Sequence, residues 1–214
     1  MKDFAFISDF DGTLTKKDFY KILSDTYYKE ELMPIYKSWK NGEMKNREYL
    51  NYVFNNVHRS ESELLEDILN ISFDPTAKAF IDKVKEAGGD FIIISAGSNY
   101  YIDKVLAKNH IKGVDVYSNK SIFKDNGIHF DLDEHDEYYS DQNGIDKLIV
   151  VEKLKSNYKK IFYAGDSTPD LKPALISDAV FAKGKLVNLL KKENKDFIEF
   201  ENFSEIWDKL KVYL

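Results

Sequence analysis

The chain has 214 residues, 43% of them hydrophobic and 32% charged, and its 37 acids against 31 bases give a formal net charge of −6. That is the balance of one globular domain, or one domain with a small insertion; it excludes collagen-like and disordered classes, and so acidic a chain argues against non-specific binding of duplex nucleic acid, which requires a basic face. Cysteine is absent, which removes disulfides, thiolate metal sites and thiol catalysis, and no apolar run approaches the roughly 20 residues of a membrane span.

In chain order, residues 4–7 form a short β-favouring run that ends at once in Asp9-Phe10-Asp11-Gly12-Thr13, the pattern of a buried strand. The apolar part of this N-terminus is too short for a signal peptide, so a cytoplasmic location is the default expectation. Residues 17–71 break the pattern, with helical stretches at 19–28, 32–39, 47–57 and 62–69 and no strand between them. Ser60-x-x-Glu63 opens the last as a capping box. Asp74-Pro75 starts a helix that runs to Ala87 and stops at Gly88-Gly89. A strand at 91–94 ends in Ser95-Ala96-Gly97-Ser98, and Ser98 caps a helix to Leu106. After a weaker strand at 114–117, Asn126-Gly127 reads as a hairpin turn between Ile122-Phe123 and Ile128-x-Phe130. A helix at 146–154 precedes the strand 161–164, which ends in Gly165-Asp166-Ser167-Thr168, and weaker strands lie at 179–182 and 197–200. Strands alternating with helices predict an α/β fold, a three-layer parallel sheet covered on both faces. The expected division is a core of 1–16 and 72–214, a helical cap of 17–71, and a small hairpin insertion in the core at 118–143.

The polar runs all follow strand C-termini, the edge where open α/β sheets bind ligands. That topology lets Asp9, Asp11, Ser95, Lys147 and Asp166 converge although they are far apart in sequence. Carboxylates hold Mg²⁺, a hard cation that takes oxygen ligands. A carboxylate can also attack phosphorus, dividing a hard hydrolysis into two easier steps. A hydroxyl and an ammonium can hold phosphate oxygens. Each piece alone has a plainer account: Ser95 as a helix cap, Lys147 as a solvated charge, Gly165-Asp166 as a turn. Their joint order along the chain favours the site.

Those runs resemble the haloacid dehalogenase superfamily of phosphohydrolases over essentially the whole chain. Asp9-Phe10-Asp11-Gly12-Thr13-Leu14-Thr15 is similar to its first motif, Ser95 to the second, Lys147 to the third, with Lys153 and Lys155 as alternatives, and Gly165-Asp166-Ser167-Thr168-Pro169-Asp170 to the fourth. The position of the helical block and Ser95-Ala96-Gly97 resemble the phosphoserine-phosphatase-like branch. Within it, Trp39-Lys40-Asn41-Gly42, Arg47-Glu48 and Ser177-Asp178-Ala179-Val180-Phe181-Ala182 resemble the methylthiopentenyl-phosphate phosphatases. The Cys-rich stretch of those enzymes is replaced by the acidic segment 134–141. The resemblance implies a Rossmann-like core with a helical cap and a Mg²⁺-dependent phosphatase of a small-molecule phosphate ester, with no nucleic-acid or membrane partner. It implies Asp9 as nucleophile, Asp11 as general acid and base, and Asp9, Asp11 (through its carbonyl) and Asp166 as metal ligands. Asp170 is expected either at the metal through water or orienting Lys147. Asp11, Gly12, Ser95, Ala96, Gly97 and Lys147 are the expected phosphate site.

His129, Asp131, Asp133, Glu134, His135 and Asp136 form a dense cluster that reads either as an oxygen and imidazole metal site or as a solvated acidic hairpin. Arg47 and Arg59 are the only arginines, and Arg47 in the cap is a candidate for bidentate anion contact. Glu30 and Glu31 could meet a cationic substrate group, and Tyr20, Tyr27, Tyr28 and Tyr36 read as cap packing. Two competing functions remain: a signalling receiver domain, against which the paired Asp9 and Asp11 and the inserted helices speak, and a non-catalytic phosphate-binding relative.

Overall fold

The computed structural model describes residues 1–28 and 30–214. The first strand, β1 (Lys2–Ser8), is followed by four helices: α1 (Phe19–Tyr27), α2 (Met33–Lys40), α3 (Asn46–Asn55) and α4 (Glu61–Leu69). Next come α5 (Ala77–Glu86), β2 (Asp90–Ser98), α6 (Asn99–Lys108) and β3 (Asp115–Asn119). Four short strands follow, β4 (Ser121–Lys124), β5 (Gly127–Phe130), β6 (Tyr139–Ser140) and β7 (Gly144–Ile145), then α7 (Lys147–Leu154) and β8 (Tyr158–Gly165). The chain finishes through α8 (Leu171–Leu175), β9 (Ala179–Ala182), α9 (Gly184–Lys192), β10 (Ile198–Glu199) and α10 (Ile206–Leu210).

Six strands make one parallel sheet in the order β10-β9-β8-β1-β2-β3. Successive strand residues point to opposite faces. Phe4 and Phe6 of β1 enter one apolar core and Ala5 and Ile7 the other. This is the three-layer α/β architecture that the alternation predicts. It places the C-terminal ends of β1, β2 and β8 side by side, with β1 between the others.

The helical block leaves and re-enters the core through two adjacent segments. Thr15 and Phe73 pair antiparallel, Lys16 N–H donates to the Ser72 carbonyl at 2.9 Å, and Asp74 N–H to the Leu14 carbonyl at 2.8 Å. The block is not separated from the core by a polar seam: Phe19, Val53, Phe54 and Leu64 belong to the same apolar cluster as Phe6, Phe10 and Phe91. The Ser60–Glu63 capping box forms, with Ser60 N–H donating to Glu63 Oε2 at 3.0 Å.

The 118–143 region carries the expected hairpin, β4–β5, but its turn lies one residue earlier than Asn126-Gly127. Lys124 pairs with Gly127, and Asp125 and Asn126 occupy the turn at φ +49° and +58°. Asp and Asn accept the left-handed region because their short side chains bond locally. Gly127 is needed for another reason: a Cβ there would stand 2.5 Å from the Asn55 carbonyl oxygen and 2.8 Å from that of Phe54, both in α3. The hairpin thus lies flat on the cap.

Candidate active site

Asp9 follows β1 directly, and its N–H continues the ladder to the Ala164 carbonyl at 2.9 Å. Its carboxylate is buried. Oδ1 accepts from Lys147 Nζ at 2.5 Å and Oδ2 from the Thr13 hydroxyl at 3.2 Å. Lys147, first residue of α7, is 5% exposed and also donates to Asp170 Oδ1 at 2.7 Å. Burial opposes its charge, but Asp170 and Asp9 prevail and hold the ammonium above the usual lysine range. Lys153 and Lys155 are engaged elsewhere, on Glu137 and on the Ile176 carbonyl.

Asp170 is fully buried. Oδ1 accepts from Lys147 and from the Tyr163 hydroxyl at 2.8 Å, and Oδ2 from the N–H groups of Asp166 and Ser167 at 3.1 and 3.0 Å. Four donors occupy the roughly four lone-pair positions of an ionised carboxylate. Asp170 therefore orients Lys147 and shapes the Asp166 turn, and has no lone pair left to offer a metal ion. Asp166 is the reverse case: its Oδ1 is buried with no protein partner. One carboxylate oxygen each from Asp9, Asp166 and Asp170 lies within 4.8 Å of the others, the one such group of metal-capable side chains among the described residues. Gly12, at φ +76°, keeps this space open, since a Cβ there would stand 2.6 Å from Asp166 Oδ2. Crowding raises the carboxyls. Burial, then Asp170, pushes Asp9 well above the usual range, and burial, Asp170 and Asp18 push Asp166 up to about 7. A buried acidic group with an orphaned oxygen fits a divalent cation with oxygen ligands, and Asp9 and Asp166 are the side chains free to hold it.

Asp11 points toward the cap. Oδ1 accepts from Phe19 N–H at 3.0 Å, and Oδ2 from the Tyr101 hydroxyl and, at 3.5 Å, from Ser95 Oγ. Burial first, and Asp18 second, push its carboxyl up to about 6, against the Tyr101 hydrogen bond, which lowers it. Ser95 Oγ also accepts from Gly97 N–H at 3.0 Å. Gly97 has no room for a side chain, since a Cβ would stand 2.8 Å from Asp11 Oδ2.

The structure brings together Asp9, Asp11, Gly12, Ser95, Gly97, Lys147, Asp166 and Asp170, with Ala96 between Ser95 and Gly97. It does not bring Arg47 to them. The Arg47 guanidinium donates to the Asp141 carbonyl at 2.7 Å and pairs with its carboxylate at 2.9 Å, which fastens α3 to the β6–β7 connection. The His129 to Asp136 cluster does not gather either; Asp133 and Asp136 accept from His135 and Tyr138 N–H groups and so cap their own turns. Glu30 and Glu31 are exposed, and Trp39 stacks on Tyr49 at 4.3 Å within the cap. Sequence reasoning missed Tyr101, Tyr163, Thr13 and Asp18. Thr13 lies inside the first motif and Tyr163 three residues before Asp166, whereas Tyr101 and Asp18 carried no signal beyond their places near a helix start.

Structures of phosphoserine phosphatase share this fold: a phospho-aspartyl intermediate analogue matches at TM-score 0.70 and 18% identity, covering 98% of this chain and 99% of that one. A substrate-bound complex matches at TM-score 0.69 and 17% identity with the same coverage. The fold and this carboxylate–lysine centre define a haloacid-dehalogenase-type phosphohydrolase of the phosphoserine-phosphatase-like branch. The model of the family described as Putative Phosphatase matches residues 4–194, and the chain belongs to that family. Among similar curated proteins, Pdp3-interacting factor 1 of Schizosaccharomyces pombe is 28% identical over 96% of this chain and 93% of its own length. Polyol phosphate phosphatase PYP1 of Saccharomyces cerevisiae is 27% identical over 97% and 92%. A 2-hydroxy-3-keto-5-methylthiopentenyl-1-phosphate phosphatase of Exiguobacterium sibiricum is 25% identical over 96% and 95%. The enzyme class is phosphoric monoester hydrolase.

Proposed function

We propose that this chain is a Mg²⁺-dependent phosphatase of a small phosphorylated metabolite, acting through an aspartyl-phosphate on Asp9. The observation that carries the reading is the buried Asp9 carboxylate, held by Lys147 and grouped with Asp166, whose Oδ1 has no partner. The names of the relatives, a polyol phosphate phosphatase and a methylthiopentenyl-1-phosphate phosphatase, support a small ester as substrate. Among the described residues, no helix is long and apolar enough to cross a membrane.

In the first step a carboxylate oxygen of Asp9 bonds to phosphorus as the ester P–O bond breaks, and the leaving oxygen takes the proton from Asp11. In the second, water attacks the same phosphorus, its proton passes to Asp11, and the P–O bond to Asp9 breaks to release phosphate and the free carboxylate. A carboxyl pushed up to about 6 suits both halves of that cycle. Lys147 balances the charge of Asp9 and of the transferring group. Asp9 and Asp166 would hold the Mg²⁺, which supplies charge neutralisation at the phosphoryl oxygens when bound.

The test is turnover of an aryl phosphate with Mg²⁺ and with excess chelator, together with acid-quench trapping of a phosphoenzyme. Wild-type protein is expected to turn over only with the metal. Asp9→Asn should lose at least roughly 1,000-fold in kcat and all trapped label, with the melting temperature kept, because an amide is a poor nucleophile. A near-wild-type rate in Asp9→Asn would refute the covalent route, and full activity in chelator would refute the metal.

A further inference from the structure

Asn119, the last residue of β3, lies outside every motif of the site and is 2% exposed. The β2–β3 register slips beside it: Ser95 pairs with Ser118, but Ser98 pairs with Asn119. Ala96 and Gly97 therefore bulge out of the ladder. A bulge re-aims side chains and leaves backbone groups without their ladder partners. The Ala96 carbonyl finds its donor in Asn119 Nδ2 at 2.8 Å. The second hydrogen of the same amide goes to the Asn143 carbonyl, also at 2.8 Å. From Asn143 the chain runs through β7 to Asp146, whose carboxylate caps α7 by accepting from Leu148 N–H at 2.9 Å, and so to Lys147 at the first position of the helix.

The amide is clamped from its other side. Gly144 has φ +83°, and a Cβ there would stand 2.6 Å from Asn119 Cγ and 2.7 Å from Nδ2. Asn119 Oδ1 is buried with no donor. A buried acceptor left unmade in this way is unusual and calls for an explanation. Here it follows from orienting the amide so that both N–H groups reach carbonyls, a service that a hydroxyl, with its single hydrogen, cannot give.

We infer that Asn119 is a positioning residue for the reaction: one primary amide, bridging the Ala96 and Asn143 carbonyls, fixes the Ser95–Gly97 loop against the segment that carries Lys147. It thereby sets the distance between the two sides of the phosphate site. The inference rests on the phosphatase reading above. Its effect falls on phosphate geometry, so inorganic phosphate is the probe.

The experiment compares wild type, Asn119→Ala and Asn119→Asp for aryl phosphate turnover and competitive inhibition by orthophosphate. Asn119→Asp keeps the volume but turns a carboxyl toward two carbonyl oxygens. Both variants are expected to lose about 100-fold in kcat/KM, the scale of an ångström-sized misplacement. Orthophosphate Ki should rise about tenfold or more, equivalent to one lost hydrogen bond of ordinary strength. Ile206→Ala, in the C-terminal helix, supplies a comparison that lowers the melting temperature while leaving Ki unchanged. If either Asn119 variant fails to fold, Gly144→Ala presses on the amide from the other side and should raise Ki in the same way. A wild-type Ki and kcat/KM in the folded variants, or a loss no larger than that of Ile206→Ala at equal melting temperature, overturns the assignment. An inactive wild type that binds no orthophosphate would instead bring down the phosphatase reading itself.

Discussion

At the scale of single residues, the site turns on how each carboxylate is partnered. Asp170 is saturated with donors, Asp9 is held by a buried ammonium, Asp166 keeps one oxygen free, and Asp11 is fastened to the cap through Phe19 N–H and to α6 through Tyr101. Four similar side chains thereby receive four different settings. Tyr101 is the most informative to change, because its hydroxyl favours the ionised form of Asp11 while burial and Asp18 oppose it. Tyr101→Phe keeps the ring among Phe10, Phe19 and Phe54 and removes only that donor. The Asp11 carboxyl should then rise above about 6. On the proposed mechanism, in which protonated Asp11 expels a poor leaving group, the alkaline limb of kcat/KM should move to higher pH by about one unit for an alkyl phosphate. The pH profile of the variant on such a substrate reads this directly. An unmoved limb, or one displaced to lower pH, would remove Tyr101 from the control of Asp11.

At the scale of elements, the β4–β5 hairpin and the Arg47–Asp141 pair tie the cap to the core at two places beyond its own connections. Phe130 N–H donates to Asn51 Oδ1 at 3.0 Å, and Arg59 N–H to the Asn126 carbonyl at 3.1 Å. Gly127→Ala would drive a methyl into two α3 carbonyls that have no side-chain freedom to yield. It should cost about 1–3 kcal/mol, the range of overpacked sites. Urea unfolding measures it, and an unchanged midpoint would show that the hairpin does not bear on α3. These elements also mark where the sequence was legible. β1, β2 and β8 announce themselves as β-branched and aromatic runs stopped by polar turns, and the cap helices as apolar periodicity without strands. Asp9, Asp11 and Asp166 were legible for the same reason, because each follows a strand, whereas Ser95 lies near the end of β2 and Lys147 opens α7. What stayed hidden depends on neighbours made by the sheet order. Asn119 meets Ala96 only because β3 lies beside β2, and Tyr163 meets Asp170 only because the chain turns back after β8. Arg47 misled because a scarce arginine in a lysine-rich cap fits an anion site equally well on paper, and its carboxylate partner lies 94 positions away. The hairpin turn was misplaced by one residue because Asn126-Gly127 is a strong local signal, while the reason for Gly127 is the tertiary approach of α3.

At the scale of the whole molecule, the carboxylates of the site set the chain's stability against its function. The Asp11 and Asp166 carboxyls are pushed up to about 6 and about 7 in the fold, above the usual aspartate value of about 3.9, in both cases chiefly through burial. Between the unfolded and folded values the native state holds more protons than the unfolded state. Stability must therefore fall as pH rises through that window, and the part owed to these two carboxyls is lost once the pH has passed about 7. Lys147 is held above the usual range and stays charged throughout, so it contributes no slope there. The metal-free protein should be less stable at pH 8 than at pH 5, by an amount on the order of a few kcal/mol from these groups. On the proposed function Mg²⁺ would bind the ionised carboxylates and should restore that loss, since any ligand of the native state alone stabilises it by mass action. The rise in urea midpoint on adding Mg²⁺ should accordingly be larger at pH 8 than at pH 5, where protons compete for the same oxygens. Four unfolding curves, at the two pH values with and without the metal, decide the matter. Metal-free stability that is flat or rising from pH 5 to pH 8, or a Mg²⁺ increment larger at pH 5, would show that these carboxylates are not the ones that share their site between proton and metal.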